Sequence, residues 1–536
     1  MALWKSIGSI YLLTWIIHFI SFWLVKRHAT GYFHAHVMQL EHVLRNQLLM
    51  VLGSFFIWRR IGAVVFETVG PKQKDMEDDD DMVRARRPYR HVSAPAMSAK
   101  MKHVRRIVCT LLISFLVLAH LSQFANYFLN SVEPLWISVV SLSCFGLWIH
   151  LVAFLIGFSI VNFLVRYIHS KSIGQIILTP IFSRYSFIQQ LATNVKWQTM
   201  VSLVLAVICC LTLLLSAGNP RIKRVEVKLK NLPQSMDGLT IALLTDMHAG
   251  PTVGRTAFQR AVELTNEQKP DIISIVGDLV DGDIGSLKSV VEPIGQLKAK
   301  YGVYFSTGNH EMYYGRVDDW IHYLESMHVK VLRNENVKIR LESTGKPQGK
   351  NSDEPYLCLA GADDIFAVKA GIDGHRMDLR AAVNGCSPHS PIVLMAHNPK
   401  AAKEALELEQ KIDLILCGHT HAGQIYVLAP YMYMRMPFFY GLYEYPAIGS
   451  SIYVSSGVFY MGAPMKMFWH THAGQLPVMV PVMYTIMPFF HGLYRHSTGP
   501  VIYVSSGVFF VGPPMKMPFL SQIALLTLKA DKNGFK

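Results

Sequence analysis

Apolar residues are laid down along this chain in two rhythms. Through the first 217 positions they come in long blocks, at 6–25, 48–66, 107–129, 135–165 and 199–217. A helix rises 1.5 Å per residue, so a block of about 20 apolar residues crosses the hydrocarbon core of a bilayer. About five membrane helices are therefore predicted within residues 1–218. Block 6–25 lacks the small-residue cleavage site of a signal peptide and reads as a retained helix. Block 48–66 carries Arg59 and Arg60 at mid-depth, a costly placement, yet a crossing is the reading we take. Block 135–165 is long enough to tilt. From about Val225 the rhythm changes to short apolar runs that alternate with amphipathic stretches. Strands are predicted at 241–245, 271–277, 303–307, 356–360, 392–396, 412–417 and 523–528, with helices at 255–268, 287–300 and 317–328. Such alternation argues for an α/β domain over 225–536, with ligands at the carboxyl ends of its strands.

Composition agrees with a membrane part joined to a second domain. Of 536 residues, 51% are hydrophobic and only 16% charged. The net charge of +14 has a simpler source than nucleic acid: no basic helix or aromatic-basic repeat is present, and basic loops beside membrane helices account for it. The stretch 71–106 holds an acidic run, 77–81, followed by Arg84, Arg86, Arg87 and Arg90, and reads as a solvated charged linker. Lys100, Lys102, Arg105 and Arg106 place its end in the cytoplasm, which puts the domain after Ala217 on the extracytoplasmic or lumenal side. Arg221, Lys223 and Arg224 pull the other way, and no Asn-x-Ser/Thr sequon follows them. The seven Cys form no CxxC pair, so neither a zinc framework nor a disulfide scaffold is indicated. His18, His120 and His150 lie inside the apolar blocks, the kind of placement transport proteins use. No pair of Gly/Pro-broken segments accompanies them. A neutral His bonded to a neighbouring helix is the simpler reading.

The chemistry lies where strands end. Asp246-Met247-His248 closes the first strand. Gly277-Asp278-Leu279-Val280-Asp281 closes the second, and Gly308-Asn309-His310-Glu311 the third. His397-Asn398 and Gly418-His419-Thr420-His421 close two more. Residues two apart on a strand point the same way, so Asp246 and His248 are expected side by side. The preceding glycines are expected to let the backbone turn sharply. A mixed Asp/Asn/His set suits Zn, Fe or Mn better than Ca or Mg.

These motifs, D-x-H, G-D-x-x-D, G-N-H-E, H and G-H-x-H, resemble the calcineurin-like metallophosphoesterase family. The resemblance implies a four-layer α/β/β/α sandwich behind the membrane helices and two divalent metal cations at its centre. It implies that Asp246, His248, Asp278 and His421 hold the first metal, and that Asp278 bridges to a second held by Asn309, His397 and His419. His310 would be the catalytic acid or steady the phosphate; Asp281 and Glu311 would orient ligands. Two cations about 3.5–4 Å apart neutralise a phosphate ester and align attacking and leaving oxygens, and water shared between them yields hydroxide near neutral pH. The function expected is a membrane-anchored hydrolase of phosphoester bonds, monoester or diester unresolved. A membrane tether favours a lipid-linked phosphoester, because confinement raises its effective concentration. An inactive metal-binding membrane scaffold is the alternative.

That alternative arises from a duplication. Residues 419–467 recur at 470–517: HTHAGQ, MPFF-x-GLY and YVSSGVF each occur twice, at an offset that slips from 51 to 50. Two units make no solenoid. The first copy follows the apolar strand and keeps Gly418; the second has Trp469 in its place. His419 and His421 are therefore assigned as ligands. The second copy owns the final strand, which would leave about 438–468 as a packed or looped-out insert.

Overall fold

The computed structural model describes residues 31–66, 99–217, 220–314, 316–340, 355–462, 492–495, 501–504 and 522–530, with helical positions scattered between 11 and 24. The linker 71–98 and most of the second copy lie outside the described residues. The membrane region holds α1 (Gly31–Phe66), α2 (Ala99–Leu121), α3 (Trp136–His169), two short helices, α4 (Ser172–Arg184) and α5 (Ser186–Thr193), and α6 (Val195–Ser216). Within them, Leu40–Val64, Lys102–Phe124, Trp136–His169 and Val195–Leu215 are long and apolar enough to cross a membrane. The predicted block 6–25 falls partly outside the described residues. The block predicted at 48–66 is the second half of a longer helix. Its 36 residues span roughly 54 Å, well beyond an apolar core of about 30 Å, so α1 projects past the bilayer. Arg60 is accommodated by Gln198 Oε1 at 3.4 Å and by the Phe56 ring. His120 bonds Gln47 Oε1 and Ser54 Oγ of α1, and His150 bonds the Gly146 carbonyl. Two of the intramembrane histidines thus tie helices together or close on their own turn.

Beyond the membrane the chain alternates as its pattern predicts. The elements are β1 (Arg221–Leu229), β2 (Thr240–Leu244), α7 (Arg255–Glu267), β3 (Ile272–Val276), α8 (Ile284–Val291), β4 (Val303–Ser306), α9 (Asn309–Tyr313), α10 (Val317–Ser326), β5 (Val329–Val331), β6 (Glu335–Arg340) and β7 (Tyr356–Gly361). Then follow α11 (Ala367–Ala370), α12 (Leu379–Val383), β8 (Ile392–Met395), α13 (Pro399–Ala405), β9 (Leu414–Cys417), α14 (Ala429–Arg435), β10 (Gly441–Tyr445), β11 (Ser450–Val454), β12 (Gly492–Arg495), β13 (Val501–Val504) and β14 (Gln522–Ala530). The helix predicted over 287–300 starts earlier and gives way to a 3-10 turn at Glu292–Gln296. Pro293 has no N–H to continue the α-helical ladder.

Two six-stranded sheets result, ordered β1-β14-β2-β3-β4-β5 and β10-β11-β9-β8-β7-β6. Strand alternation builds the layers. Ile241 and Leu243 face Leu357, Leu359, Val393 and Leu414 of the other sheet, while Ala242 and Leu244 face the helix layer of Phe258, Leu287 and Trp320. Cys358 and Ala360 face the outer helices through Leu379 and Ala402. The α/β/β/α sandwich follows, each fully buried aliphatic side chain stabilising it by about 1.5–3 kcal/mol.

The duplicated tail corrects one expectation. The segment around 438–462 is no insert: β11 pairs in parallel with β9 and carries β10 as the edge strand. The second copy forms its own hairpin, β12 with β13, in the same register: Gly441↔Val454 and Leu442↔Tyr453 become Gly492↔Val504 and Leu493↔Tyr503. This hairpin forms a separate two-stranded sheet. The predicted final strand is real: β14 runs parallel to β1 and antiparallel to β2. The Gln522 amide N–H donates to the Gly457 carbonyl and its side chain donates to Ser456 and Tyr440, so the second copy's end docks on the first copy's body. A disulfide joins Cys358 to Cys386, Cα atoms 5.9 Å apart, which the absence of a CxxC pair did not foretell.

The two halves meet at the turn between α2 and α3. Gly254 caps α7 without a side chain. Glu133 Oε1 fills that role, accepting the Thr256 N–H at 2.7 Å, and the Arg255 N–H donates to the Val132 carbonyl at 2.8 Å.

Deleting residues 468–517 joins the first copy directly to the shared continuation. The shortened chain is expected to fold with its far-ultraviolet spectrum and unfolding midpoint preserved. Deleting 522–530 instead is expected to abolish soluble expression in detergent, because β14 fills the gap between β1 and β2.

Candidate metal centre

The site lies at the carboxyl ends of β2, β3 and β4 in one sheet and β8 and β9 in the other. Asp246, His248 and His421 bring ligand atoms within 4.8 Å of one another, as do Asp278, His397 and His419. His248 Nε2 and His421 Nε2 face each other at 2.9 Å, and Asp246 Oδ1 lies 3.3 Å from His421 Nε2. His397 Nε2 is 3.0 Å from Asp278 Oδ2 and 4.0 Å from Asp246 Oδ1. His248 Nε2 is 3.9 Å from Asp278 Oδ2, so Asp278 adjoins both clusters. Asp246, His248, Asp278, His397, His419 and His421, all expected of the set, thus gather in one place, and Asn309 is held nearby through its neighbour: the His310 N–H donates to Asp278 Oδ1 at 2.9 Å. The Asn309 amide N–H goes to Tyr313 Oη, leaving its buried oxygen without a hydrogen-bond partner. His419 Nδ1 is likewise buried and unpartnered. Orphaned acceptors among buried carboxylates are what a cation requires. The residues fit two divalent ions.

Asp246 and His248 do not converge by strand alternation. β2 ends at Leu244, and both residues take left-handed backbone, φ 52° and 47°. Asp278, His419 and His421 do the same, at φ 55°, 69° and 48°. Such conformations in residues with a Cβ cost about 1–3 kcal/mol each and cluster at functional sites. Backbone pairing beyond the strands holds them: Asp246 N–H donates to the Gly277 carbonyl and His248 N–H to that of Asp278.

The glycines act mainly through close approach. A Cβ at Gly308 would lie 2.3 Å from Asp278 Oδ1, and one at Gly418 would lie 2.4 Å from Asp246 Oδ2. Gly277 is also in left-handed backbone, φ 69°. Trp469, the second copy's counterpart of Gly418, would not fit the gap beside Asp246. A further glycine escaped the motif reading: Gly457, φ 85°, whose Cβ would lie 2.8 Å from Asp246 Cβ. It belongs to the first copy's YVSSG, and its only sequence signal was the duplication itself.

Asp281 and Glu311 anchor the ligand loops. Asp281 Oδ1 accepts from both His248 Nδ1 at 2.8 Å and His310 Nδ1 at 2.7 Å. Glu311 accepts the N–H groups of Gly308, Asp278, Leu279 and Val280. Burial opposes ionisation of Asp246, Asp278 and Asp281, yet the surrounding imidazoles hold all three below the usual carboxylate range. Burial would lower the His310 pKa; the charges of Asp278 and Asp281 outweigh it and raise it to about 9. Burial lowers His419 to about 3, which keeps it neutral as a ligand must be.

One more strand end was missed. After β7 come Asp363 and Asp364, both buried. Asp363 accepts from Thr307 Oγ1 at 3.0 Å and pairs with His375 at 3.3 Å. Asp364 Oδ2 has no hydrogen-bond partner, and burial pushes its carboxyl up to about 7. The signal was there, an apolar strand followed by acids, but without a histidine.

This fold and this constellation are those of a metallophosphoesterase domain, and the clustered Asp and His side chains are compatible with a dinuclear metal site. Residues 239–423 match the calcineurin-like phosphoesterase family. The chain is 35% identical over 433 residues to the transmembrane protein with metallophosphoesterase domain of Danio rerio, covering 80% of this chain and 87% of that one. It is 38% identical over 434 residues to the Bos taurus protein of the same name, with the same coverage. An uncharacterized metallophosphoesterase of Helicobacter pylori is 33% identical over 249 residues, 46% of this chain and 61% of its own. The chain belongs to the calcineurin-like metallophosphoesterase family, in the form that carries several membrane helices.

Two comparisons separate the copies. His421→Ala is expected to abolish bound metal, measured by inductively coupled plasma mass spectrometry, whereas His472→Ala leaves it intact. Gly457→Ala is expected to destabilise by about 2–3 kcal/mol through left-handed strain and overpacking on Asp246, read by thermal unfolding. Gly507→Ala, its counterpart, is expected to be silent.

Proposed function

We propose that this protein is a membrane-anchored hydrolase of phosphoester bonds. The observation that carries the reading is the convergence of Asp246, Asp278 and four histidines from both sheets on one buried point. The metal set proposed is Asp246, His248, Asp278 and His421 for one ion, with Asn309, His397 and His419 completing the other and Asp278 shared. Two such cations, when bound, neutralise the phosphate and acidify the water between them. Zn, Fe or Mn suits the nitrogen-rich donors.

The rest is done by the chain. Asp281 pins the tautomers of His248 and His310, because a carboxylate fixes the proton on each Nδ1. The Nε2 of His248 is thereby left as a lone pair. His310, its Nδ1 bonded to Asp281 and its Nε2 3.9 Å from Asp278 Oδ2, stands at the edge of the site and is placed to give a proton to a leaving oxygen. Glu311 keeps the Asp278 loop rigid, which preserves the spacing on which in-line displacement depends.

The substrate proposed is carried by the bilayer. The segment just after His421, Ala422 to Ala429, packs with Cys210 and Leu213 of α6 and Leu147 and Ile149 of α3. The ligand loop thus rests on the membrane bundle. The catalytic domain is proposed to face away from the cytosol. Lys102, Arg105, Arg106, Arg166 and Lys196 gather at the bundle end opposite the domain, and the Cys358–Cys386 disulfide belongs to an oxidising compartment.

The detergent-solubilised, metal-loaded protein is expected to hydrolyse a chromogenic phosphodiester or monoester, and the Asp246→Asn/Asp278→Asn variant to show none. Activity equal in both would remove the hydrolase reading and leave a metal-binding scaffold. His310→Gln is expected to lower kcat about 10²–10⁴-fold while retaining metal.

A further inference from the structure

The long helix α1 does more than anchor. α1, whose N-terminal half begins before its apolar stretch Leu40–Val64, runs beside α9, which carries Asn309 and His310, and beside α11. On that half, Arg45 Nη2 lies 3.2 Å from His42 Nδ1, and Asn46 Nδ2 lies 3.0 Å from His42 Nε2. Arg45 is itself paired with Glu41 at 3.5 Å, a solvent-exposed contact of little strength. Lys369 lies on α11, which adjoins α1, as does the helix that carries His310. Two cationic side chains, Arg45 from a membrane helix and Lys369 from the catalytic domain, thus lie on helices that adjoin one another, and α1 also adjoins the helix carrying the residue proposed to protonate the leaving group.

The apolar surface completes the picture. Among the described residues beyond 220, the large apolar side chains that stand exposed are Val368, Leu428, Tyr431, Met434, Ile448 and Met461. Val368 neighbours Lys369 on α11, beside α1. Leu428, Tyr431 and Met434 surround α14, whose inner face packs on α3 and α6. Met461 is tied to Gln424 on the ligand loop by two hydrogen bonds, 2.8 and 3.1 Å. Apolar groups thus flank the site both on its α1 side and on its α3/α6 side. Exposed apolar groups beside a membrane bundle fit acyl chains or the interface, and cations fit a phosphate.

We propose that Arg45, His42 and Lys369 form a docking rim for the phosphate-bearing head group of a bilayer phospholipid, which enters beside α1 while its acyl chains stay among the membrane helices. The proposal rests on the phosphoester reading and deepens it by naming the substrate class. Arg45 offers a planar fork of donors that grips two phosphate oxygens at once, and Lys369 supplies a second charge from the neighbouring α11. Release of Glu41 costs Arg45 little. The head group then meets the metal centre on its His310 side.

Retention of dioleoyl phosphatidic acid by the full chain in detergent, read by native mass spectrometry, tests the rim without any turnover when the metal is stripped. The wild type is expected to retain the lipid, and Arg45→Gln/Lys369→Gln to lose affinity at least about tenfold, the scale of one charge-assisted hydrogen bond. Arg45→Lys is expected to recover part of the binding, which a merely misfolded variant does not. Lys102→Gln, at the far end of the bundle, is expected to retain the lipid as the wild type does. Equal retention by the wild type and the rim variant would overturn the proposal, as would equal loss in Lys102→Gln, which marks generic attraction. Failure of the wild type to cleave any chromogenic ester bears on the hydrolase reading alone and leaves the retention result standing as the test of the rim.

Discussion

Four buried carboxylates, Asp246, Asp278, Asp281 and Glu311, share one pocket with histidines at 248, 310, 397, 419 and 421. Carboxylates brought this close repel one another, and burial removes the water that would screen them. The pocket is tolerable only because every negative group faces an imidazole, a backbone N–H or a position a cation takes. Glu311 is held by four backbone donors; Asp281 by two ring nitrogens; Asp246 by the His419 N–H. The two sheets, the left-handed ligand residues and the close glycines all exist in the geometry that this balance demands.

The membrane half is part of the same arrangement rather than a tether at a distance. Glu133 caps α7 from the turn between α2 and α3, and α7 lies on the sheet whose β2 and β3 end in Asp246 and Asp278. The loop bearing His421 leans on α3 and α6. A rotation of the domain against the bundle would have to break both. The site is therefore braced against the membrane helices by both contacts.

The duplicated tail shows how one sequence supplies two claimants for the same place. Both copies form the hairpin in the same register, because that register is set locally by the turn and the alternating apolar residues. Only the first can pair with β9, since it follows β9 directly and carries Gly457 against Asp246. The strand that closes the first sheet comes from beyond the second copy, and the first copy's Gly457 and Ser456 receive it through Gln522. A chain with a second copy between these two partners keeps the fold because loop length costs only logarithmically.

The sequence by itself determined most of the elements and pointed to the candidate ligands. Long apolar blocks mark helices, short ones ending in Asp, Asn or His mark strands that stop at a site, and both follow from periodicity and hydrogen-bonding chemistry that act over a few residues. Most strand boundaries, and the Asp and His side chains that cluster at the strand ends, were legible in this way. What the tertiary structure decided is whatever depends on residues far apart in the chain. β1, β6 and β11 lack a motif and take their places from neighbours. Asp246 and His248 converge through left-handed turns held by the β3 loop, not by strand alternation. Gly308 and Gly418 are needed for the space they leave beside a carboxylate, and α1 adjoins the helix that bears Asn309 and His310 only because the membrane bundle and the domain pack together. Local pattern carries no information about which distant surface will be pressed against it, and at those positions packing alone chose the outcome.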